Sequence, residues 1–316
     1  MASLQRHPYQ IEPTVIVDAH VHMLDEGWLP QAVWDGFMPL YQRLIGAAEL
    51  TPAAMDTMFT RLWDPEGSRL LAEMDEAGVD MSVILLMDQG FEIGEPAVSI
   101  FDQNDKVAEI CADHPHRLAW CYGIDPRRQG AARAFADALE RGARGLKLYP
   151  PAGFFPAEEV CWPLYRVAVE HDVPVIAHCG PASSPLQSRY AHPLAWDEVA
   201  ARLPNLKIIL GHAGKIEAWA KDAVAIAIFK PNIHLDISLW DGWLSEVELA
   251  NYLDFMRKRV GADRILWASD RFGMEESERI TAWRTQIVSL PELTAFDKED
   301  VDLVLGGNAA RLFRLP

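Results

Sequence analysis

The segment Val17-Asp-Ala-His-Val-His22 sets two imidazoles two residues apart on a stretch rich in β-branched residues. On a strand, residues at that spacing point to the same side, so His20 and His22 project together. Two neutral ring nitrogens converging in this way are half of a site for a divalent cation such as Zn2+. Three further polar residues each close an apolar run: His178 ends Val173-Pro-Val-Ile-Ala-His, His212 ends Ile208-Ile-Leu-Gly-His, and Asp270 ends Ile265-Leu-Trp-Ala-Ser-Asp. Each taken alone also fits a satisfied structural residue at a strand end. Together they do not, because buried polar groups without partners cost a few kcal/mol apiece. A shared cation removes that cost, with three His and one Asp offering N3O donors and room for a water.

Such residues need a scaffold that brings strand ends together. The chain alternates short apolar runs with helical patterns. The strand candidates are 14–19, 81–87, 118–123, 145–149, 173–178, 206–211, 233–237 and 264–269. Several are apolar almost throughout, as strands covered on both faces are. Helical spacing falls at 97–113, 131–141, 158–170, 216–229, 246–259 and 276–289. Eight strands with intervening helices predict an α/β (β/α)8 TIM-type barrel, whose active sites lie at the C-terminal strand ends. A doubly wound open sheet competes, but no Gly-x-Gly-x-x-Gly follows the first strand. Residues 24–66 interrupt the rhythm with two helical patterns, 30–46 and 52–62, carrying Trp28, Trp34, Phe37, Tyr41, Met55, Met58, Phe59 and Trp63. An insertion after the first strand sits over the barrel mouth, either as a lid or subunit contact or as a helical hairpin burying its own apolar face. Without an internal repeat or Gly/Ser linker, residues 1–316 read as a single barrel domain.

The 316 residues carry 29 Lys and Arg against 46 Asp and Glu, a formal charge of −17. That balance repels phosphate backbones and anionic lipid and points away from nucleic-acid and membrane partners. Cys111, Cys121, Cys161 and Cys179 show no Cys-x-x-Cys spacing, so reduced thiols are expected. The polar stretch 1–13 does not read as a secretory signal, and no apolar run approaches the ~20 residues of a membrane span. A cytoplasmic location is expected.

In order along the chain, Asp18-Ala-His-Val-His22, Gly145-Leu-Lys-Leu-Tyr-Pro150, Ala177-His-Cys-Gly180, Gly211-His-Ala-Gly214, Ala268-Ser-Asp270 and Gly306-Gly-Asn-Ala-Ala-Arg-Leu-Phe313 resemble the amidohydrolase superfamily. The similarity runs nearly end to end and lies with the branch related to aminocarboxymuconate-semialdehyde decarboxylase. The resemblance implies a distorted (β/α)8 barrel with one divalent metal, usually Zn2+ with Mn2+ as the alternative, and a homodimer. It assigns His20, His22, His178 and Asp270 as metal ligands and His212 as a catalytic group that need not bind metal. The metal would lower the pKa of a bound water toward ~7, Asp270 would take and pass on its proton, and His212 would polarise a substrate carbonyl. The small Ala213-Gly214 would let the substrate approach.

Lys147 falls on the fourth strand. It is read three ways: as a carbamate bridging two metals, as a point charge for a substrate carboxylate, or as a partner of an acid such as Asp125. Arg271 departs from the aromatic or small residue common in this branch. Its guanidinium suits a substrate carboxylate or a rim salt bridge to Glu275 or Glu276. Arg189 and His192, in the loop 181–193, are similarly placed to shape a substrate pocket.

The expected function is a metal-dependent hydrolase acting on a small carboxylated or aromatic-derived compound through an amide, ester, lactone or activated C–C bond. Nonoxidative decarboxylation of a similar acid is the alternative, and a non-catalytic metal-binding barrel a distant one. Decarboxylases related to γ-resorcylate decarboxylase generally carry Glu in place of the first His of His-x-His, whereas this chain keeps His20.

Overall fold

The computed structural model describes residues 15–44, 51–215, 217–242, 244–272 and 276–316. Eight parallel strands run in sequential order: β1 Val17–Val21, β2 Met81–Leu85, β3 Leu118–Gly123, β4 Leu146–Leu148, β5 Val175–His178, β6 Ile208–Gly211, β7 Ile233–Asp236 and β8 Ile265–Leu266. With helices between the strands, this is the (β/α)8 barrel expected from the alternation. The sheet comes nearly to closure where β8 meets β1. There the Asp270 N–H donates to the His20 carbonyl at 2.9 Å and the His22 N–H to the Arg271 carbonyl at 2.8 Å. The seam that shuts the barrel thus runs through the residues expected to do chemistry.

Alternation along the strands sorts side chains into two layers. Ile84, Trp120, Leu146, Val175, Ile208 and Leu235 join the core between sheet and helices. Val83, Cys121, Ile176, Ile209 and Leu266 form a separate cluster inside the barrel. On β4, β5 and β7 the interior positions are Lys147, His178 and Asp236, above that apolar plug. All four cysteines are buried and free.

Strand β3 and the helices 131–140 and 246–260 fall where the periodicity puts them, within a residue. The insertion forms α1 Gln31–Leu44 and α2 Pro52–Leu62. A third helix, α3 Ser68–Ala77, was not expected. Its start is fixed by Asp64, whose carboxylate accepts from the Arg69 and Leu70 N–H groups at 3.1 and 2.9 Å. Gly78, with φ 65°, ends it. Among the insertion's large apolar residues, the side chains of Tyr41, Met55 and Phe59 lie outside the described residues. Trp34 packs edge-on against Trp63 with ring centroids 5.9 Å apart, in a small cluster with Leu24, Leu29 and Leu62. Gly36 lies so close to the loop after β5 that a Cβ would stand 1.5 Å from the Ser184 carbonyl oxygen. Only glycine permits that contact between α1 and the 181–193 loop.

Candidate metal centre

At the C-terminal mouth, His20 and His22 leave β1 with their Nε2 atoms 3.2 Å apart. Each ring's other nitrogen is committed: His20 Nδ1 lies 2.6 Å from Asp236 Oδ2, and His22 Nδ1 lies 2.7 Å from the Leu85 carbonyl oxygen. Since those partners accept, both rings carry their proton on Nδ1 and turn a lone pair inward. Asp270 Oδ1 is 3.3 Å from His20 Nε2 and 3.1 Å from His22 Nε2. Lys147 Nζ is 3.1 Å from His20 Nε2 and supplies one donor there. His22 Nε2 faces acceptors on both sides, an arrangement that a cation resolves.

A second pair of imidazoles, His178 and His212, lies beside the first, with the His20 and His212 ring centroids 5.0 Å apart. His178 Nε2 lies 3.1 Å from the Gly180 carbonyl oxygen, which leaves Nδ1 as the acceptor. That atom is 3.2 Å from His212 Nε2. His212 Nδ1 is 2.8 Å from Ser238 Oγ, and the Trp240 indole N–H donates to the His212 carbonyl at 2.8 Å. His20, His212 and Asp270 each offer a ligand atom within 4.8 Å of the others. His212 therefore stands within the ligand triangle as well as beside His178. The donor set, imidazole nitrogens and one carboxylate with oriented partners behind them, fits a divalent metal.

Electrostatics agree with the geometry. Burial, with Lys147 nearby, lowers the His20 pKa, although Asp236 and Asp270 oppose it. Burial brings His178 down to about 3 and puts His212 well below the usual imidazole range. Burial thus favours the neutral form of each of these rings. Burial raises Asp270, while electrostatic coupling to the facing His20, His212 and His22 side chains pulls it down. Burial lowers Lys147 to about 8 against the pull of Asp270 and Asp236.

Backbone strain concentrates here. Asp270 has φ 52°, and after β6 His212, Ala213, Gly214 and Lys215 have φ of 65°, 44°, 89° and 60°. Non-glycine residues in this region are costly and cluster at functional sites. Gly214 is glycine for its own reason: a Cβ would fall 2.5 Å from the Trp219 carbonyl carbon. Its smallness makes room for the following helix.

Arg271 departs from expectation. It is fully buried, with Nε 2.8 Å from Glu73 Oε2 and Nη2 3.6 Å from Asp64 Oδ2, while Nη1 donates to the His22 carbonyl at 3.3 Å. The side chain turns back under β1 to tie α3 to the barrel instead of standing at the mouth. Glu276 is engaged instead by Arg279, and Glu275 lies outside the described residues. Asp125 is likewise claimed by Arg127 at 2.6 Å, not by Lys147. His192 faces Asp222 and Trp219, and Arg189 is exposed beside Tyr190, so neither joins the centre.

Several neighbours of the centre escaped the sequence reading. Asp236 lies two residues beyond His234 on β7, and a carboxylate closing an apolar strand was the available signal. Ser238 and Lys215 carried none. Phe272 lies with its ring centroid 5.8 Å from that of His22 and 6.3 Å from that of Phe37 on α1, so the insertion helps wall the mouth. Tyr149, inside a quoted motif but without a role, lies 4.7 Å from His178, ring to ring.

A barrel with imidazoles and one carboxylate converging at its mouth forms a possible metal site. A family model described as amidohydrolase matches residues 17–315, and the chain belongs to that family. Among solved structures it is similar to 5-carboxyvanillate decarboxylase from Novosphingobium aromaticivorans, complexed with manganese and 4-hydroxy-3-methoxy-5-nitrobenzoic acid. The TM-score is 0.67 at 18% identity, over 95% of this chain and 96% of that one. It is also similar to 2,6-dihydroxybenzoate decarboxylase complexed with 2,6-dihydroxybenzoate, with a TM-score of 0.59 at 19% identity, covering 95% and 99% of the two chains. A third is a probable 2-pyrone-4,6-dicarboxylic acid hydrolase from Acinetobacter baumannii, with a TM-score of 0.61 at 13% identity and the same coverage, 95% and 99%. At these identities the likeness shows the fold. No curated protein matches the chain. No helix among the described residues is long and apolar enough to cross a membrane.

Proposed function

We propose that this protein is a metal-dependent hydrolase that cleaves an amide, ester, lactone or activated C–C bond in a small carboxylated or aromatic-derived substrate. The observation that carries the reading is the inward-facing lone pairs of His20 and His22 beside Asp270 Oδ1, at 3.1 to 3.3 Å. His20, His22, His178 and Asp270 would hold one divalent ion, zinc or else manganese, and His212 stands close enough to share in that role. Such an ion acidifies water and polarises carbonyl oxygen when bound.

The protein's own groups supply the rest. Asp270, held ionised, accepts a proton from the attacking water and returns it to the leaving group. His212, neutral and oriented through Ser238 and Trp240, directs Nε2 at the substrate carbonyl region. Lys147 is 1% exposed at the floor of the mouth and offers a point charge to a substrate carboxylate. Hydrolysis is favoured because Asp270, beside both β1 imidazoles, is placed to take a proton from water.

Nonoxidative decarboxylation of a similar acid is the second reading, favoured by the activities named for two of the structural neighbours. A panel of lactones, esters and hydroxybenzoates, run in isotopically labelled water, separates the two. Water-derived oxygen in the released acid is expected. Carbon dioxide release without such oxygen replaces hydrolysis with decarboxylation. Metal analysis should find about one zinc or manganese per chain, with activity lost in chelator. A loaded protein inert toward the whole panel would turn the reading toward a metal-binding barrel. Sedimentation tests the homodimer implied by the resemblance.

A further inference from the structure

We propose that Gln89 and Tyr149 form a hydrogen-bonding subsite that selects substrates bearing a neutral hydroxyl close to the reacting carbon. The proposal rests on the metal-dependent reading above and deepens it by naming a feature of the substrate.

Gln89 follows β2 by four residues and Tyr149 immediately follows β4, so both stand at the C-terminal mouth on either side of β3. Gln89 is 4% exposed, yet its Oε1 is buried without a hydrogen-bond partner among the described residues. Leaving a buried amide oxygen unmet is costly, and such atoms in a folded protein ask for an explanation. The neighbouring charges do not supply one. Asp88 is taken by Arg128, and Asp125 by Arg127. Among the described residues the Gln89 amide N–H meets the Met87 sulfur at 3.7 Å, and its side chain interacts with the Tyr149 phenol. Tyr149 lies against His178 with ring centroids 4.7 Å apart, which places its ring beside the candidate metal centre.

The chemistry of the opening follows from counting. With Nε2 donating to the phenol oxygen, Gln89 Oε1 is left as an acceptor and the Tyr149 O–H as a donor. Rotating the amide by half a turn makes Oε1 accept from Tyr149, leaving Nε2 as a donor and a phenol lone pair as an acceptor. Either way the pair presents one donor and one acceptor. A hydroxyl matches both. A carboxylate has no hydrogen for the acceptor, and Lys147 is the group placed for it. A site that hydrogen-bonds a substrate hydroxyl discriminates strongly against the analogue lacking it, because its own buried groups are then left unmet.

The test uses the full-length metal-loaded protein and calorimetric titration with benzoate and its 2-, 3- and 4-hydroxy isomers. At least one hydroxy isomer should bind tenfold or more tighter than benzoate. Gln89→Met should reduce that preference to under twofold while changing benzoate affinity by less than threefold and leaving metal content unchanged. Tyr149→Phe should cut the preference as well, and it decides the matter if Gln89→Met folds poorly. A wild type without a tenfold preference overturns the subsite, as does a preference that survives in a folded, metal-loaded variant. The metal content of the wild type reports separately on the metal-dependent reading, so failure of one is not mistaken for failure of the other.

Discussion

His20 Nδ1 meets Asp236 Oδ2 at 2.6 Å, with neither side chain exposed to solvent. The carboxylate fixes the tautomer that aims Nε2 at the metal centre and raises the basicity of the ring as a ligand. Asp236 also accepts from the Ser238 N–H at 2.7 Å, and Ser238 in turn meets His212. One carboxylate on β7 thus orients two imidazoles from β1 and β6.

Removing that charge should loosen the ion without touching a ligand. Asp236→Asn is expected to weaken metal affinity about tenfold or more, the effect typical of groups behind a metal-bound histidine. Competition against a chromogenic chelator measures it. Unchanged affinity would mean that His20 needs no orienting partner.

His178 and His212 divide the second pair of roles. His178→Ala should lower metal occupancy, and so should His20→Ala. His212→Asn should keep the ion and lose turnover. Elemental analysis alongside kinetics reads both. Normal loading in His178→Ala would remove it from the ligand set, and an empty His212→Asn would make His212 a ligand. Asp270→Asn should abolish activity, and turnover within tenfold of wild type would exclude its proton-transfer role.

Arg271 is predicted to matter to the fold and to lie outside substrate recognition. Arg271→Met removes the guanidinium that pairs with Glu73 and Asp64 at a buried site, and breaking such a cluster costs ~3–5 kcal/mol. Denaturant unfolding should show that loss. An unaltered midpoint with a raised KM would restore the substrate role suggested by its place after Asp270.

Acid sensitivity has an identifiable contributor away from the metal centre. His234 is buried on β7 with Nδ1 unpartnered, and burial, with Arg311 and Arg264 nearby, pulls its pKa from 6.5 to about 4. Between those values the unfolded chain takes up a proton that the folded protein refuses. Stability is therefore complete above about pH 6.5 and falls as pH drops toward 4, by ~3 kcal/mol from this group. His234→Gln in chelator-treated protein should flatten the decline of unfolding free energy over that window. An identical slope in both proteins would show that His234 titrates normally.

Local patterning carries a large part of this architecture. Near-continuous apolar runs are what a sheet buried on both faces demands, and period-3.6 stripes mark the covering helices. Strand number and most helix positions therefore follow from residue order. His20, His22, His178, His212 and Asp270 were readable for the same reason: a polar residue closing an apolar strand sits at a barrel mouth. What local order leaves open is the partner of each group. Arg271 follows Asp270 in the chain, yet the turn at Asp270, with φ 52°, sends the two side chains to opposite sides of the seam. Asp236 reaches His20 across 216 positions and Lys147 reaches it across 127, distances over which no periodicity speaks. Those pairings arise when β8 comes round to β1, because closing the barrel is what makes strand ends neighbours.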